Sequence, residues 1–231
     1  KKFFANSEGA YIDQEHCDVG ASCRAIAREG DNVQQMFVTS GGVDGYQSVE
    51  GQHNSVKDCA RRAVENLDAK PVKAGQYTVV LDPALAGVFV HEAFGHLSES
   101  DFIYENETLR NIMVLDTQFG APILNIADGA ALPGHRGSYR YDDEGVPSSI
   151  TPLIRDGVLV GRLHSRETAG KMGEKPTGNA RAINYRFRPI VRMSNTYIEN
   201  GDTSFEEMIS DIDEGIYAIE AYGGETTMEM F

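Results

Sequence analysis

The sequence predicts an α+β fold, with antiparallel sheets, a few helices, and one motif-bearing helix packed on a central sheet. Three observations predict it. Residues 3–50 alternate apolar and polar in short runs, the pattern of an antiparallel sheet with one wet face. Residues 54–67 place Val56, Cys59, Ala60, Ala63, Val64 and Leu67 at helical spacing. Residues 77–81 form an unbroken, largely β-branched run, and Asp82-Pro83 follows at once as a helix start, with Asp at the N-cap and Pro at the first helical position.

Taken in order, Tyr11-Ile12-Asp13, 20–28 and 33–39 read as strands of one meander. Gly30-Asp31-Asn32 is the turn between the last two, and Ser40-Gly41-Gly42 ends the run. Cys59 falls on the apolar stripe of the first helix and is expected in a core. Residues 70–75 are a linker. Residues 77–81 are expected as a buried strand. Residues 101–120 are helix-capable but weakly periodic, and 122–126 are a short apolar run.

Residues 129–145 read as a long loop, a common place for function. Its His135 and Tyr141 are candidate donors to a tetrahedral intermediate. Asp142-Asp143-Glu144-Gly145 lacks calcium-loop spacing and reads as a solvated turn. Residues 152–162 are a hairpin around Asp156-Gly157, and 166–172 a short helix stopped by Gly173. Residues 188–198 read as one strand. Thr203-Ser204-Phe205-Glu206 opens a helix to about residue 213, with Phe205, Met208, Ile209 and Ile212 as its apolar face. Residues 216–222 read as a last strand.

The chain has 231 residues, 35 Asp and Glu against 21 Lys and Arg, and a net charge of −14. Such acidity disfavours general nucleic-acid binding, which needs cations to displace phosphate counterions. The charge is uneven: residues 155–192 hold nine Lys and Arg against three acids. That strip reads as compensation within the fold, the alternative being a cationic wall for an acidic ligand. Cys17, Cys23 and Cys59 are an odd set without metal-knuckle spacing, and a reducing cytoplasm is expected. No apolar run nears the ~20 residues needed to cross a bilayer.

The chemistry concentrates in His91-Glu92-Ala93-Phe94-Gly95-His96. Imidazole is a ligand for borderline-soft metals such as zinc, and a neighbouring Glu can act as base toward a water. The familiar spacing is H-E-x-x-H, with both His on one helix face. Here it is one residue longer. At ~100° per residue the two His would point about 140° apart on a regular helix. A π-bulge between Ala93 and His96 would reunite them, and Gly95 makes the distortion cheap.

That motif resembles the TldD branch of the TldD/PmbA family, metallopeptidases once described as modulators of DNA gyrase. The likeness continues through Asp142-Asp143-Glu144-Gly145-Val146-Pro147 and Ile154-Arg155-Asp156-Gly157-Val158-Leu159-Val160-Gly161. It runs on through Pro176-Thr177-Gly178-Asn179-Ala180-Arg181, Met193-Ser194-Asn195-Thr196-Tyr197 and Gly215-Ile216-Tyr217. The resemblance implies a zinc-dependent peptidase acting on unfolded or extended peptides, with His91 and His96 on the metal and Glu92 as general base. It implies substrate contacts at Thr177, Gly178, Asn179 and Arg181, although the residues alone read there as an ordinary turn. It also implies a homodimer, or a heterodimer with a PmbA-like paralogue.

In the family the third zinc ligand is a Cys near the far C-terminus, and no Cys follows His96. Glu99 and Asp101 are the nearest acidic substitutes; a ligand from beyond Phe231 is the stronger expectation. The chain opens on Lys1-Lys2 and stops at Met230-Phe231, which reads as a fragment. Residues 1–70 are expected as the end of an N-terminal α+β domain, and 71–231 as the motif-bearing, β-rich domain, incomplete at its C-terminus. A non-catalytic, PmbA-like binding or scaffolding subunit is the competing reading.

Overall fold

The computed structural model describes residues 1–227. Met230 and Phe231, where the expected domain breaks off, lie outside them. The chain divides into a larger unit, comprising Lys1–Gln14, Tyr77–Pro133 and the chain from Gly137 onward, and a smaller one, Glu15–Gln76 with Gly134–Arg136. Strands β1 (Lys2–Ala5) and β2 (Tyr11–Gln14) pair antiparallel. They fall within the larger unit. The Gln14 amide donates to the Tyr141 carbonyl at 2.9 Å and accepts from the Tyr141 N–H at 3.3 Å. Lys2 Nζ meets Asp143 at 2.8 Å.

In the smaller unit, β3 (Val19–Glu29) and β4 (Asn32–Gly42) form one long hairpin. Gly30, at φ +57°, supplies the left-handed turn residue that a two-residue hairpin loop requires. Helix α1 (His53–Glu65) lies on one face, where Met36, Cys59 and Ala63 are buried against Ala25, Ala27 and Val38. Cys59 is in the core, as its position on the stripe requires. Val56 and Val64 are exposed, so the packed stripe is narrower than the sequence pattern.

The larger unit carries the site. Strand β5 (Thr78–Leu81) runs into α2 (Pro83–Val90), and a distorted turn leads on to α3 (Ser100–Glu105) and α4 (Glu107–Ile112). Strand β6 (Ile126–Gly129) is buried at all four positions. Strands β7 (Ile150–Arg155) and β8 (Val158–Leu159) follow, turning through Asp156 and Gly157, both at positive φ. Helix α5 (Arg166–Met172) has a reciprocal Ser165–Thr168 cap and ends at left-handed Gly173. Strands β9 (Ala180–Arg181) and β10 (Ile190–Val191) pair, β11 (Thr196–Ile198) joins β6, and α6 (Phe205–Ile209) precedes β12 (Gly215–Ala218).

The central sheet has the order β11-β6-β7-β8, antiparallel throughout. Val90 and Leu97, flanking the motif, pack with Ile126, Leu153, Ile154, Leu159 and Leu163 in one core. Each such side chain contributes about 1.5–3 kcal/mol on burial, enough to fix the motif's position. Among the described residues no helix is long and apolar enough to cross a membrane.

Several expected elements differ, and the last strand stops at Ala218 rather than 222. Residues 77–81 are not buried: β5 pairs only with β12, in parallel, and Val79 stays 48% exposed. Residues 188–198 are two strands rather than one, because 192–195 leave the ladder to hydrogen-bond Glu99, Asp128 and Gly129. Helix α6 is short, is capped by Ser204 alone, and leaves Phe205, Met208 and Ile209 substantially exposed.

Candidate metal centre

The motif begins from a fixed point. The Asp82 carboxylate accepts the Ala84 N–H at 3.0 Å, Pro83 occupies the first turn, and α2 ends at Val90. From His91 to Gly95 the backbone is a π-helical turn, and the His96 N–H donates to the His91 carbonyl five residues back. This is the distortion that the H-E-x-x-x-H spacing requires. His96–Ser98 then tighten into a 3₁₀ turn. A side chain at Gly95 would collide with Met193, so the turn sits flush against the 192–195 segment.

The consequence is convergence. The imidazoles of His91 and His96 lie edge to face, with ring centres 4.8 Å apart. One ligand atom from each of His91, Glu92 and His96 lies within 4.8 Å of the other two. Glu92 Oε2 is 3.9 Å from His96 Nε2. Two converging imidazole nitrogens suit zinc, and the carboxylate beside them is within reach of a water such a metal would hold. Burial, and then the neighbouring His96, hold His91 below the usual imidazole range, in the neutral form that ligates.

Behind the rings lies a second carboxylate. Glu99 is fully buried, and its Oε2 stands 3.2 Å from His96 Nδ1. Its Oε1 accepts the Met193 N–H at 3.3 Å and faces Arg192 Nη1 at 3.4 Å. Burial raises the Glu99 carboxyl, and Arg192 and His96 oppose that rise. In front, Thr226 Oγ1 donates to the Glu92 carbonyl at 2.6 Å and reaches its carboxylate at 3.0 Å. Gly224 lies so close to Glu92 that a Cβ would stand 2.5 Å from its Cγ.

The other candidates go elsewhere. Glu99 belongs to His96 rather than to the ligand group, and Asp101 accepts the Val191 N–H at 3.0 Å, so neither joins the cluster. All three cysteines precede the motif and lie in the smaller unit. His135 is exposed there, and Tyr141 is tied to Gln14 through its backbone.

Asp142 is not a solvated turn residue. It is 3% exposed and receives the N–H groups of Glu144, Val146 and Ala180. Thr177 receives the His164 N–H at 2.7 Å, and the Gly178 carbonyl accepts from Tyr139 at 2.8 Å. Asn179 is buried, donating to Asp128 at 2.9 Å and to the Arg192 carbonyl at 3.0 Å. Arg181 donates to the Met193 carbonyl, while its Nε is buried with no partner among the described residues. Asn179 and Arg181 therefore brace the 192–195 segment that packs on the motif, while Thr177 and Gly178 bond His164 and Tyr139 instead. The sequence offered one clue to Glu99, its i+3 offset from His96 on a helical stretch; it offered none to Met193 or Thr226.

Comparison with known proteins converges on one family. The model of the PmbA/TldA metallopeptidase C-terminal domain matches residues 74–230, and that of the central domain matches 1–70. A metalloprotease of Synechocystis sp. is 53% identical over 98% of this chain and 49% of its own length. A zinc metalloprotease TldD homolog of Saccharolobus solfataricus is 34% identical over 98% of this chain and 51% of its own. A crystal structure from Thermotoga maritima, described as a candidate modulator of a DNA gyrase, superposes with a TM-score of 0.79 at 25% identity. It covers 96% of this chain and 49% of the other. The chain thus spans about half the length of the curated relatives it matches.

Proposed function

The chain belongs to the PmbA/TldD metallopeptidase family, and from that premise we propose that it carries the catalytic centre of a zinc-dependent peptidase. The supporting observation is the π-turn that brings His91, Glu92 and His96 within 4.8 Å of one another. His91 and His96 would hold the zinc. Bound zinc supplies Lewis acidity and brings the pKa of water down to about 7. Glu92 accepts a proton from the attacking water at its carboxylate and passes it to the departing amine. Thr226, hydrogen-bonded to both the carbonyl and the carboxylate of Glu92, keeps that side chain oriented. The family resemblance makes a cysteine the third protein ligand, and no cysteine follows His96 in this sequence.

The substrate class is an unfolded or extended peptide. The segment braced by Asn179 and Arg181 forms the wall beside the motif. The working assembly is a homodimer, or a heterodimer with a PmbA-like paralogue, in the cytoplasm. Glu92→Gln is the test. Cleavage of an unfolded polypeptide, followed by mass spectrometry, should fall by about 10²–10⁴-fold while zinc content stays unchanged. Undiminished cleavage in the variant would remove Glu92 from the mechanism.

A further inference from the structure

We propose that Glu99 is the positioning residue that fixes the tautomer of His96, so that Nε2 presents a lone pair to the cation. The inference rests on the metal-site reading above and adds a residue to it. Three observations carry it. Glu99 is fully buried, and its Oε2 lies 3.2 Å from His96 Nδ1. The other His96 nitrogen, Nε2, faces the ligand cluster, 3.9 Å from Glu92. Both neighbours of Glu99 Oε1, the Met193 N–H and Arg192 Nη1, can only donate.

The polarity holds for the ionised carboxylate, the form that the Arg192 guanidinium 3.4 Å from Oε1 and the Met193 N–H favour. An ionised carboxylate accepts at both oxygens, so His96 must carry its proton on Nδ1 and leave Nε2 bare. A buried carboxylate behind a ligand imidazole also fixes the ring's orientation and raises its basicity. The isosteric amide reverses the arrangement. In Glu99→Gln the two donors at Oε1 claim the amide oxygen, so the NH₂ group turns to His96. Nδ1 must then accept, and the proton moves to Nε2, where it blocks ligation.

The experiment has two readouts. Imidazole ¹⁵N NMR at about pH 8, where an unperturbed imidazole is neutral, reports the tautomer of metal-free protein. The Nδ1–H form is expected in the wild type and the Nε2–H form in Glu99→Gln. Titration with zinc chloride against a competing chelator should show affinity about 10–100-fold weaker in the variant. Glu107→Gln, at an exposed acid on α4 outside the motif, should keep wild-type affinity. A wild-type His96 protonated on Nε2 overturns the proposal, whether or not the variant folds. So does wild-type zinc affinity in folded Glu99→Gln. If wild-type protein binds no zinc but shows the Nδ1–H tautomer, the metal reading fails while the positioning by Glu99 stands.

Discussion

Two histidine clusters sit in the larger unit, and they differ in what is left over. His164 is 1% exposed, and both ring nitrogens are engaged: Nδ1 with Thr168 at 3.1 Å, and Nε2 with Glu174 at 3.1 Å and Ser100 at 3.3 Å. The carboxylate of Asp128 is equally occupied, taking Asn179, Thr196 and both donors of Ser194. At the motif, His96 has one nitrogen held by Glu99 and the other turned toward His91 and Glu92. A polar group with every bond made stabilises structure; one held on a single side has capacity for a ligand. Ser100, His164 and Glu174 together have the residue types of a hydrolase triad. The Ser and the Glu share one nitrogen, however, and Ser100 is fully buried, so no relay or nucleophile results.

The contrast can be broken by substitution. Asp128→Ala should cost most, about 3–5 kcal/mol in urea unfolding, because it leaves buried donors unpaired. A loss below about 1 kcal/mol would show that the network is not structural. Gly95→Ala should cost about 1–2 kcal/mol, since crowding Met193 outweighs the gain in helix propensity, and it should weaken zinc binding as the π-turn shifts. Unchanged zinc affinity there would detach the turn from the site.

The smallest effect concerns pH. Burial holds His164 below the usual imidazole range, with Glu174 opposing. A depressed histidine stabilises the fold above its unfolded pKa of about 6.5 and loses that contribution as pH falls. His164→Gln should flatten the decline in stability between about pH 7.5 and 5, a slope limited to ~1.4 kcal/mol per pH unit for one proton. An unaltered slope would place the titration elsewhere.

How much was legible in the sequence depended on whether the deciding contact was local. The π-turn was legible because the spacing of His91 and His96 conflicts with a 3.6-residue period, and Gly95 marked where the conflict is resolved. The Asp82-Pro83 start, the Asp156-Gly157 turn and the Gly173 stop are local too. Strand β6 was not legible: its four residues include Asp128 and Gly129, and Asp128 is tolerated inside only because 179, 194 and 196 fold back onto it. The broken strand at 188–198 has the same cause. Glu99 read as an acid beside the motif, and only its burial against Arg192 and Met193 separates a support for His96 from a ligand. Asn179 and Arg181 carried no local mark of their bonds to the Arg192 and Met193 carbonyls.

The most direct measurement is the zinc bound per chain, by elemental analysis after dialysis, in the wild type and in the His91→Ala, His96→Ala double variant. About one equivalent in the wild type and none in the double variant is expected, with two imidazole nitrogens at ~2.0–2.1 Å in X-ray absorption. Equal zinc in both proteins would place the metal elsewhere. No zinc in either would contradict the metal site in this chain and leave either a scaffolding subunit or an enzyme whose metal needs a ligand this sequence lacks.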